Sequence, residues 1–310
     1  MQLVHRIEQE CGVALSVSAL FPSATPERIA ELLRGRGHHP ASTGTALLRD
    51  DPEGSLCWCI RWAVTSPATS PVPGPARAAS VLGLRSPALD GGDLLRDRRD
   101  LPELAVVYAD LLEACRAEPS VFAGWSLGGV MALEVAREWR RRHGRALPVV
   151  LIDTAPPEPV PSGCWDEDRT FAAFARDIGS VLGVEVPDTS RLGRDERVQA
   201  LHDCLADSGR ISPGSADESV GRRYEVFREH LRLAAAYRPR PYDGPMTLMY
   251  AAGRPDAAEV VAAWRAVATS GLRAEPLPGD HYTLMTQELA ARVAGCWPLS
   301  VNDRERATHG

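Results

Sequence analysis

Two hydrophobic periods interleave along this chain. Val121-Phe122-Ala123 is a short continuous apolar run, Gly124-Trp125-Ser126-Leu127-Gly128-Gly129 interrupts it, and from Val130 to Ala136 apolar residues recur at helical spacing. That sequence of patterns predicts strand, sharp turn and helix. The alternation continues on both sides. Leu56 to Ile60 and Val81 to Leu84 read as buried strands, Leu101 to about Ala117 as a helix, and Leu147 to Asp153 as a strand with an acid at its carboxyl end. Met246 to Ala251 (strand), Ala257 to Val267 (helix), Leu272 to Leu277 (strand) and a closing helix to about Cys296 complete the series. Strands alternating with helices predict an α/β fold with a mostly parallel sheet, which carries its ligands at the carboxyl ends of the strands. Residues from Pro156 to about Tyr237 depart from the alternation. Helical patterns near Phe171 to Leu182, Glu196 to Leu205 and Tyr224 to Ala236, with no strand between them, predict a helical lid laid over those strand ends.

Ahead of the alternating region, Leu3 to Gly12 has helical spacing and a glycine stop. Thr25-Pro26-Glu27 then caps a second helix that runs to about Leu33. Residues 38–54 are polar and read as a linker, residues 55–298 as the main domain, and 299–310 as a tail. The run Thr65 to Pro75 carries prolines that forbid a helix. Composition changes this picture little: 44% hydrophobic and 25% charged residues are ordinary for a globular domain. A net charge of −6, with no basic cluster interleaved with aromatics, argues against nucleic acid. The densest basic run, Arg137 to Arg145, falls at a helix end, where cations complement the helix dipole. No apolar stretch approaches the length of a membrane span, and the start lacks a signal peptide's pattern, so no membrane partner and a cytoplasmic location are expected. The 7 cysteines are odd in number and scattered without metal-ligand spacing, so they read as free thiols and no metal site is expected.

Gly124-x-Ser126-x-Gly128 between a strand and a helix has the context of a nucleophile elbow, with Ser126 at its tip. The glycines answer a steric demand, because a Cβ on either side of so sharp a turn would meet the neighbouring strand or helix. A serine hydroxyl needs a base within hydrogen-bond reach and a third group to orient that base. His281, in a loop after the last strand, is the candidate base. His5 lies in the N-terminal helical piece, His38, His39 and His309 in linker or tail, and His143, His202 and His230 in polar helical stretches. Two aspartates end strands in the right region, Asp153 and Asp256; Asp153 is favoured, and Asp280 serves the turn beside the histidine. The chain order Ser, Asp, His is that of the α/β-hydrolases, and the fold expected is theirs.

Three motifs in order carry a more specific resemblance: Gly124-Trp125-Ser126-Leu127-Gly128-Gly129, Leu151-Ile152-Asp153-Thr154-Ala155-Pro156-Pro157 and Gly279-Asp280-His281-Tyr282-Thr283-Leu284-Met285. With Tyr237-Arg238-Pro239-Arg240-Pro241-Tyr242, they resemble the C-terminal (type I) thioesterase domain of a nonribosomal peptide synthetase over roughly Ser55 to Trp297. Residues 1–37 resemble the C-terminal part of a peptidyl carrier protein, starting just after that family's phosphopantetheine-bearing serine. The resemblance implies that Ser126 attacks a peptidyl thioester held on the phosphopantetheine of an upstream carrier, with no cofactor held by this chain. His281 would be the base and Asp153 its acid. Release would follow by hydrolysis or by macrocyclisation. It also implies an oxyanion hole made by the backbone N–H of Leu127 and, by position, that of Ala63. Here the sequence departs, since Arg61 to Thr65 and a proline-rich run stand where the family has His-Pro-x-Gly-Gly and a helix. Two other readings stay open on the residues. A stand-alone editing thioesterase or general esterase would rely on Asp256, and a catalytically degenerate carrier-binding domain would follow from the altered loop.

Overall fold

The computed structural model describes residues 80–90, 98–157, 166–209, 218–284, 289 and 292–293, together with two further strands at 45–49 and 55–59. In chain order the elements are β1 (Thr45–Arg49), β2 (Ser55–Cys59), β3 (Ser80–Leu84), a 3-10 turn (Pro87–Asp90), α1 (Leu101–Ala114), β4 (Pro119–Trp125), α2 (Leu127–His143) and β5 (Val149–Ile152). Then come α3 (Glu167–Leu182), α4 (Arg194–Asp207), α5 (Glu218–Ala235), β6 (Met246–Ala251), α6 (Ala257–Val267) and β7 (Leu272–Leu277). The strands form one seven-stranded sheet in the order β1-β3-β2-β4-β5-β6-β7. All neighbours are parallel except β1, which runs antiparallel to β3. This is the expected α/β-hydrolase architecture, with flanking helices and a helical insertion.

The central strands are apolar on both faces, as a sheet covered on both sides requires. Phe122, Val149, Leu151, Met246 and Leu248 point into one core with α1, α2 and α6. Val121, Ala123, Val150, Ile152, Met249 and Ala251 point into a second core with Leu277, Leu284, Leu289 and Val293. Helix ends follow their sequence signals. The Asp100 carboxylate accepts the Glu103 N–H at 2.9 Å to start α1, and Gly144, at φ 72°, closes α2 in the left-handed conformation.

The linker expected over 38–54 is not what the structure has. Thr45–Arg49 is a strand of the sheet, with Thr45 opposite Leu84 and Ala46 opposite Gly83. An antiparallel edge strand is defined by its partner's backbone more than by its own apolar content, so five mixed residues carry no readable period. The sheet therefore begins before Ser55. Residues 1–37, the run Thr65 to Pro75 and the tail lie outside the described residues. Among the described residues no helix is long and apolar enough to cross a membrane, and no group of acids, histidines and cysteines could hold a metal.

Between β5 and β6 the three helices α3, α4 and α5 build a small core of their own from Phe171, Phe174, Ile178, Leu201, Leu205, Val220 and Tyr224. Val226, Leu233 and Ala234 of α5, and Tyr237 just beyond it, belong instead to the main core, so the lid is anchored at its C-terminal end. The segment that follows locks it to α2. Glu134, 1% exposed, accepts the Tyr237 hydroxyl at 2.7 Å and Arg240 Nη2 at 3.0 Å, and Arg137 Nε lies 3.1 Å away. Tyr242 donates its hydroxyl to Leu147 O at 2.6 Å. Within the basic run at the end of α2, Arg140, Arg141 and Arg142 form ion pairs with Asp243, Glu138, Asp110 and Glu113. That use agrees with a solvated face.

Glu134→Ala leaves the buried Tyr237 hydroxyl without its acceptor, and the expected loss is about 2–3 kcal/mol of stability. Arg240 is too exposed to add much. The loss is read as a lowered urea midpoint at unchanged slope. Glu134→Gln keeps an acceptor for Tyr237 and loses about half as much; equal midpoints for Glu134→Ala and wild type would count against the lock.

Candidate active site

β4 ends at Trp125 and α2 begins at Leu127, so Ser126 alone makes the turn between them, with φ 57° and ψ −132°. A non-glycine residue held there is strained by about 1–3 kcal/mol, and the surroundings must over-determine it. They do. Ser126 N–H donates to Ile152 O at 2.8 Å, and Ser126 O accepts Gly129 N–H at 3.0 Å and the Thr154 hydroxyl at 2.9 Å. The glycines are explained by close approach. A Cβ on Gly124 would lie 2.1 Å from Gly128 O, and one on Gly129 would lie 2.1 Å from Thr154 Oγ1. The strand and helix can thus meet only if both lack side chains. Leu127, as the first helical residue, has a backbone N–H with no acceptor inside the helix.

Asp153 follows β5 directly, at φ 41° and 5% exposed, with its N–H donated to Met249 O at 2.7 Å. Its two oxygens have separate partners. Oδ2 lies 2.6 Å from His281 Nδ1, while Oδ1 accepts Ala251 N–H and Arg254 Nη1, each at 3.0 Å. Burial pushes this carboxyl up, but the His281 hydrogen bond, the Ala251 N–H and the charges of His281 and Arg254 outweigh it and hold it below the ordinary aspartate value. Nδ1–H donation to Asp153 fixes the tautomer and leaves Nε2 as the acceptor nitrogen. His281 stands in a turn that Asp280 closes, with Asp280 Oδ1 accepting the N–H groups of Tyr282 and Thr283 at 2.9 Å each. Asp280 serves that turn, as expected.

Asp256, the other strand-end acid, makes no such contact among the described residues. Both its oxygens go to Arg254, Oδ1 with Nε at 2.8 Å and Oδ2 with Nη2 at 2.9 Å. That pairing, with the guanidinium's hydrogen bonds leading, holds the Asp256 carboxyl low.

Ser126, Leu127, Asp153 and His281 line one cavity of about 1100 Å³, whose other walls come from Ala155 to Pro157, from Leu231, Ala234 and Ala235 of α5, and from Val260 and Ala263 of α6. The structure therefore brings four of the five site residues expected from the sequence, Ser126, Leu127, Asp153 and His281, to one cavity. Ala63 lies outside the described residues. Three contributors were not anticipated. Thr154 braces the elbow. Arg254 joins the two aspartates. Tyr282, beside His281, donates its hydroxyl to Asp177 of α3 at 2.7 Å and sets its ring edge-on to both Trp125 and His281. Of these, only Thr154 and Tyr282 had a signal, since they sit inside the motifs that carry Asp153 and His281.

A family model described as "Thioesterase domain" matches residues 79–296. Thioesterase pytI of Aspergillus terreus is 25% identical over 174 residues, covering 52% of this chain and 56% of that protein. A Bacillus subtilis protein named Dimodular nonribosomal peptide synthase is 23% identical over 258 residues, covering 79% of this chain and 10% of its own length. This chain thus spans about half or less of the relatives it matches. Among solved structures, a four-domain nonribosomal peptide synthetase superposes with a TM-score of 0.70 at 23% identity, over 95% of this chain and 23% of that one. At that identity the likeness is one of fold.

Gly129→Ala should cost about 1–3 kcal/mol, because its methyl has no room beside Thr154 Oγ1. Thr154→Ala alone gives up the brace on Ser126 O, and the double variant should be more stable than the sum of the two losses by about 1 kcal/mol. A denaturant double-mutant cycle measures the coupling; simple additivity would refute the contact.

Proposed function

This chain belongs to the thioesterase domain family, and from that premise we propose that it releases a carrier-bound peptidyl thioester through a serine acyl-enzyme, by hydrolysis or by ring closure, at the end of a nonribosomal peptide assembly line. The observation that carries this reading is the pairing of Asp153 Oδ2 with His281 Nδ1 at 2.6 Å, on the wall of the cavity that also holds the strained Ser126. Asp153, His281 and Ser126 are there given the roles of orienting acid, base and nucleophile.

The steps follow from those roles. His281 Nε2 takes the Ser126 proton as Oγ adds to the thioester carbonyl, and Asp153 stabilises the imidazolium that forms. The oxyanion is held by the N–H of Leu127 and, in the same proposal, by that of Ala63. Collapse expels the phosphopantetheine thiolate, which leaves as the thiol with the proton from His281. Water, or an amine or hydroxyl of the peptide itself, then gives its proton to His281 and attacks the acyl-serine, and collapse breaks the acyl–Oγ bond as His281 returns that proton to Ser126. The partner is a peptidyl carrier protein domain, in keeping with the synthetase named among the relatives and with the carrier-like residues 1–37. No cofactor is required of this chain. The engagement of Asp256 by Arg254 weighs against the editing type of thioesterase that uses the later acid.

A fluorophosphonate probe followed by intact mass tests the nucleophile: wild type should gain one phosphonyl group and Ser126→Ala none. Peptidyl pantetheine thioesters should then be consumed, the product mass separating acid from ring by one water. Asp153→Asn should lower kcat by about 10⁴-fold. A loss of that size in Asp256→Asn instead would transfer the acid role, and an unlabelled wild type would sink the acyl-enzyme.

A further inference from the structure

Among the described residues lining the cavity, Arg254 is the single cation, set against the carboxylates of Asp153, Asp256, Glu259 and Asp280. Its guanidinium is divided between two acids in unlike surroundings. The Asp153 side chain is 4% exposed and that of Asp256 50%, with Arg254 at 16% between them. Nη1 reaches Asp153 Oδ1 at 3.0 Å, the oxygen that His281 does not use, while Nε and Nη2 hold both oxygens of Asp256 at 2.8 and 2.9 Å. A planar fork serving two carboxylates in this way has no freedom to favour one without loosening the other.

On the reading of Asp153 and His281 as the acid–base pair behind Ser126, we infer that Arg254 is a positioning residue that sets the pH at which His281 becomes available as a base, and that Asp256 tunes it by competing for the guanidinium. His281 must be neutral to accept the serine proton. The Asp153 carboxylate meets the imidazole through Oδ2, the guanidinium of Arg254 neutralises part of that carboxylate's charge from Oδ1, and the second claim of Asp256 weakens the neutralisation. Other titratable or charged groups face the pair from each packed element: Glu259 on α6, Asp280 and Tyr282 in the histidine's own turn, Asp177 on α3 through the Tyr282 hydroxyl, and Ser126 at the head of α2. All are acids or hydroxyls, so no second cation in this set can replace Arg254. The low-lying carboxyls of both Asp153 and Asp256 agree with a cation shared between them.

The signs separate this role from a structural one. Without Arg254 the imidazole keeps its proton to higher pH, so the acid limb of reactivity moves up. Without the Asp256 charge the guanidinium bears on Asp153 alone, so the limb moves down. The measurement is the second-order rate at which a fluorophosphonate labels Ser126 between about pH 5 and 9, a range that brackets histidine titration. Wild type, Arg254→Met, Arg254→Lys and Asp256→Asn are compared. The expected displacement is about one pH unit upward for Arg254→Met, and a few tenths downward for the more solvated Asp256→Asn. Arg254→Lys, which keeps the charge, should fall nearer wild type than Arg254→Met. Limbs that stay put, or that move in the same direction in Arg254→Met and Asp256→Asn, overturn the inference while labelling leaves the acyl-enzyme reading intact. Wild type that labels at no pH overturns that reading instead. If Arg254→Met does not fold, the sign of the Asp256→Asn displacement decides.

Discussion

The cavity depends on a backbone ladder that outruns its own strands. Past the end of β4, Ser126 N–H still reaches the carbonyl of Ile152 on β5; past the end of β5, Asp153 N–H still reaches Met249 on β6; and Ala252, beyond β6, reaches Leu277 on β7. Each rung sets the next turning point one strand over, so the elbow, the acid, the arginine loop and the histidine turn leave the sheet side by side. Two of these turning points, Ser126 and Asp153, hold positive φ without being glycine, at about 1–3 kcal/mol each. Hydrogen bonds worth about 1 kcal/mol apiece offset that strain because β4 and β5 beneath these turns are almost wholly buried and close-packed. The Thr154 hydroxyl on Ser126 O and the Trp264 indole on Thr154 O tie the same stretch to α2 and α6.

Over this edge sits a lid with two kinds of attachment. Its own aromatic core of Phe171, Phe174 and Tyr224 makes α3, α4 and α5 cohere as a unit. The C-terminal part of α5 and the tyrosine–arginine segment after it are fixed to α2 through Glu134. The N-terminal part, α3, reaches the histidine turn through Asp177, whose carboxylate accepts the Tyr282 hydroxyl at 2.7 Å. Because Tyr282 packs edge-on against both His281 and Trp125, displacement of α3 would be felt first at the histidine. Position of the lid and position of the base are therefore not independent variables.

Most of the fold was legible in the sequence, and the legible parts share a cause. β6, α6 and β7 fall where the pattern puts them, because each is a short element whose apolar period is bounded by turn residues. The tight turn at Ser126 and the strand end at Asp153 were legible because each leaves a local signature, glycines at close approach and an aspartate ending an apolar run. What escaped is non-local. β1 owes its existence to a partner more than thirty residues away. The dual grip of Arg254 needs the separation of two loops, which no spacing along the chain encodes. Thr154 and Tyr282 were visible as motif members, but their partners, Ser126 O and Asp177, became visible only in three dimensions.

The two strand-end aspartates illustrate how local pairing separates positions that the fold makes alike. Ends of β5 and β6 are adjacent, both carry an aspartate nearby, and a histidine turn after β7 could face either. A carboxylate chelated through both oxygens by a guanidinium has its best lone pairs already directed away from any imidazole, and that is the state of Asp256. Asp153 keeps one oxygen for Arg254 and Ala251 and turns the other to His281. Arg254 thus does two things with one side chain: it occupies both oxygens of Asp256, and it places positive charge behind Asp153. Replacing it would disturb both pairings together. For that reason the Arg254–Asp256 pair is continuous with the Asp153–His281 pair in the wall of one cavity, even though only Asp153 touches the histidine.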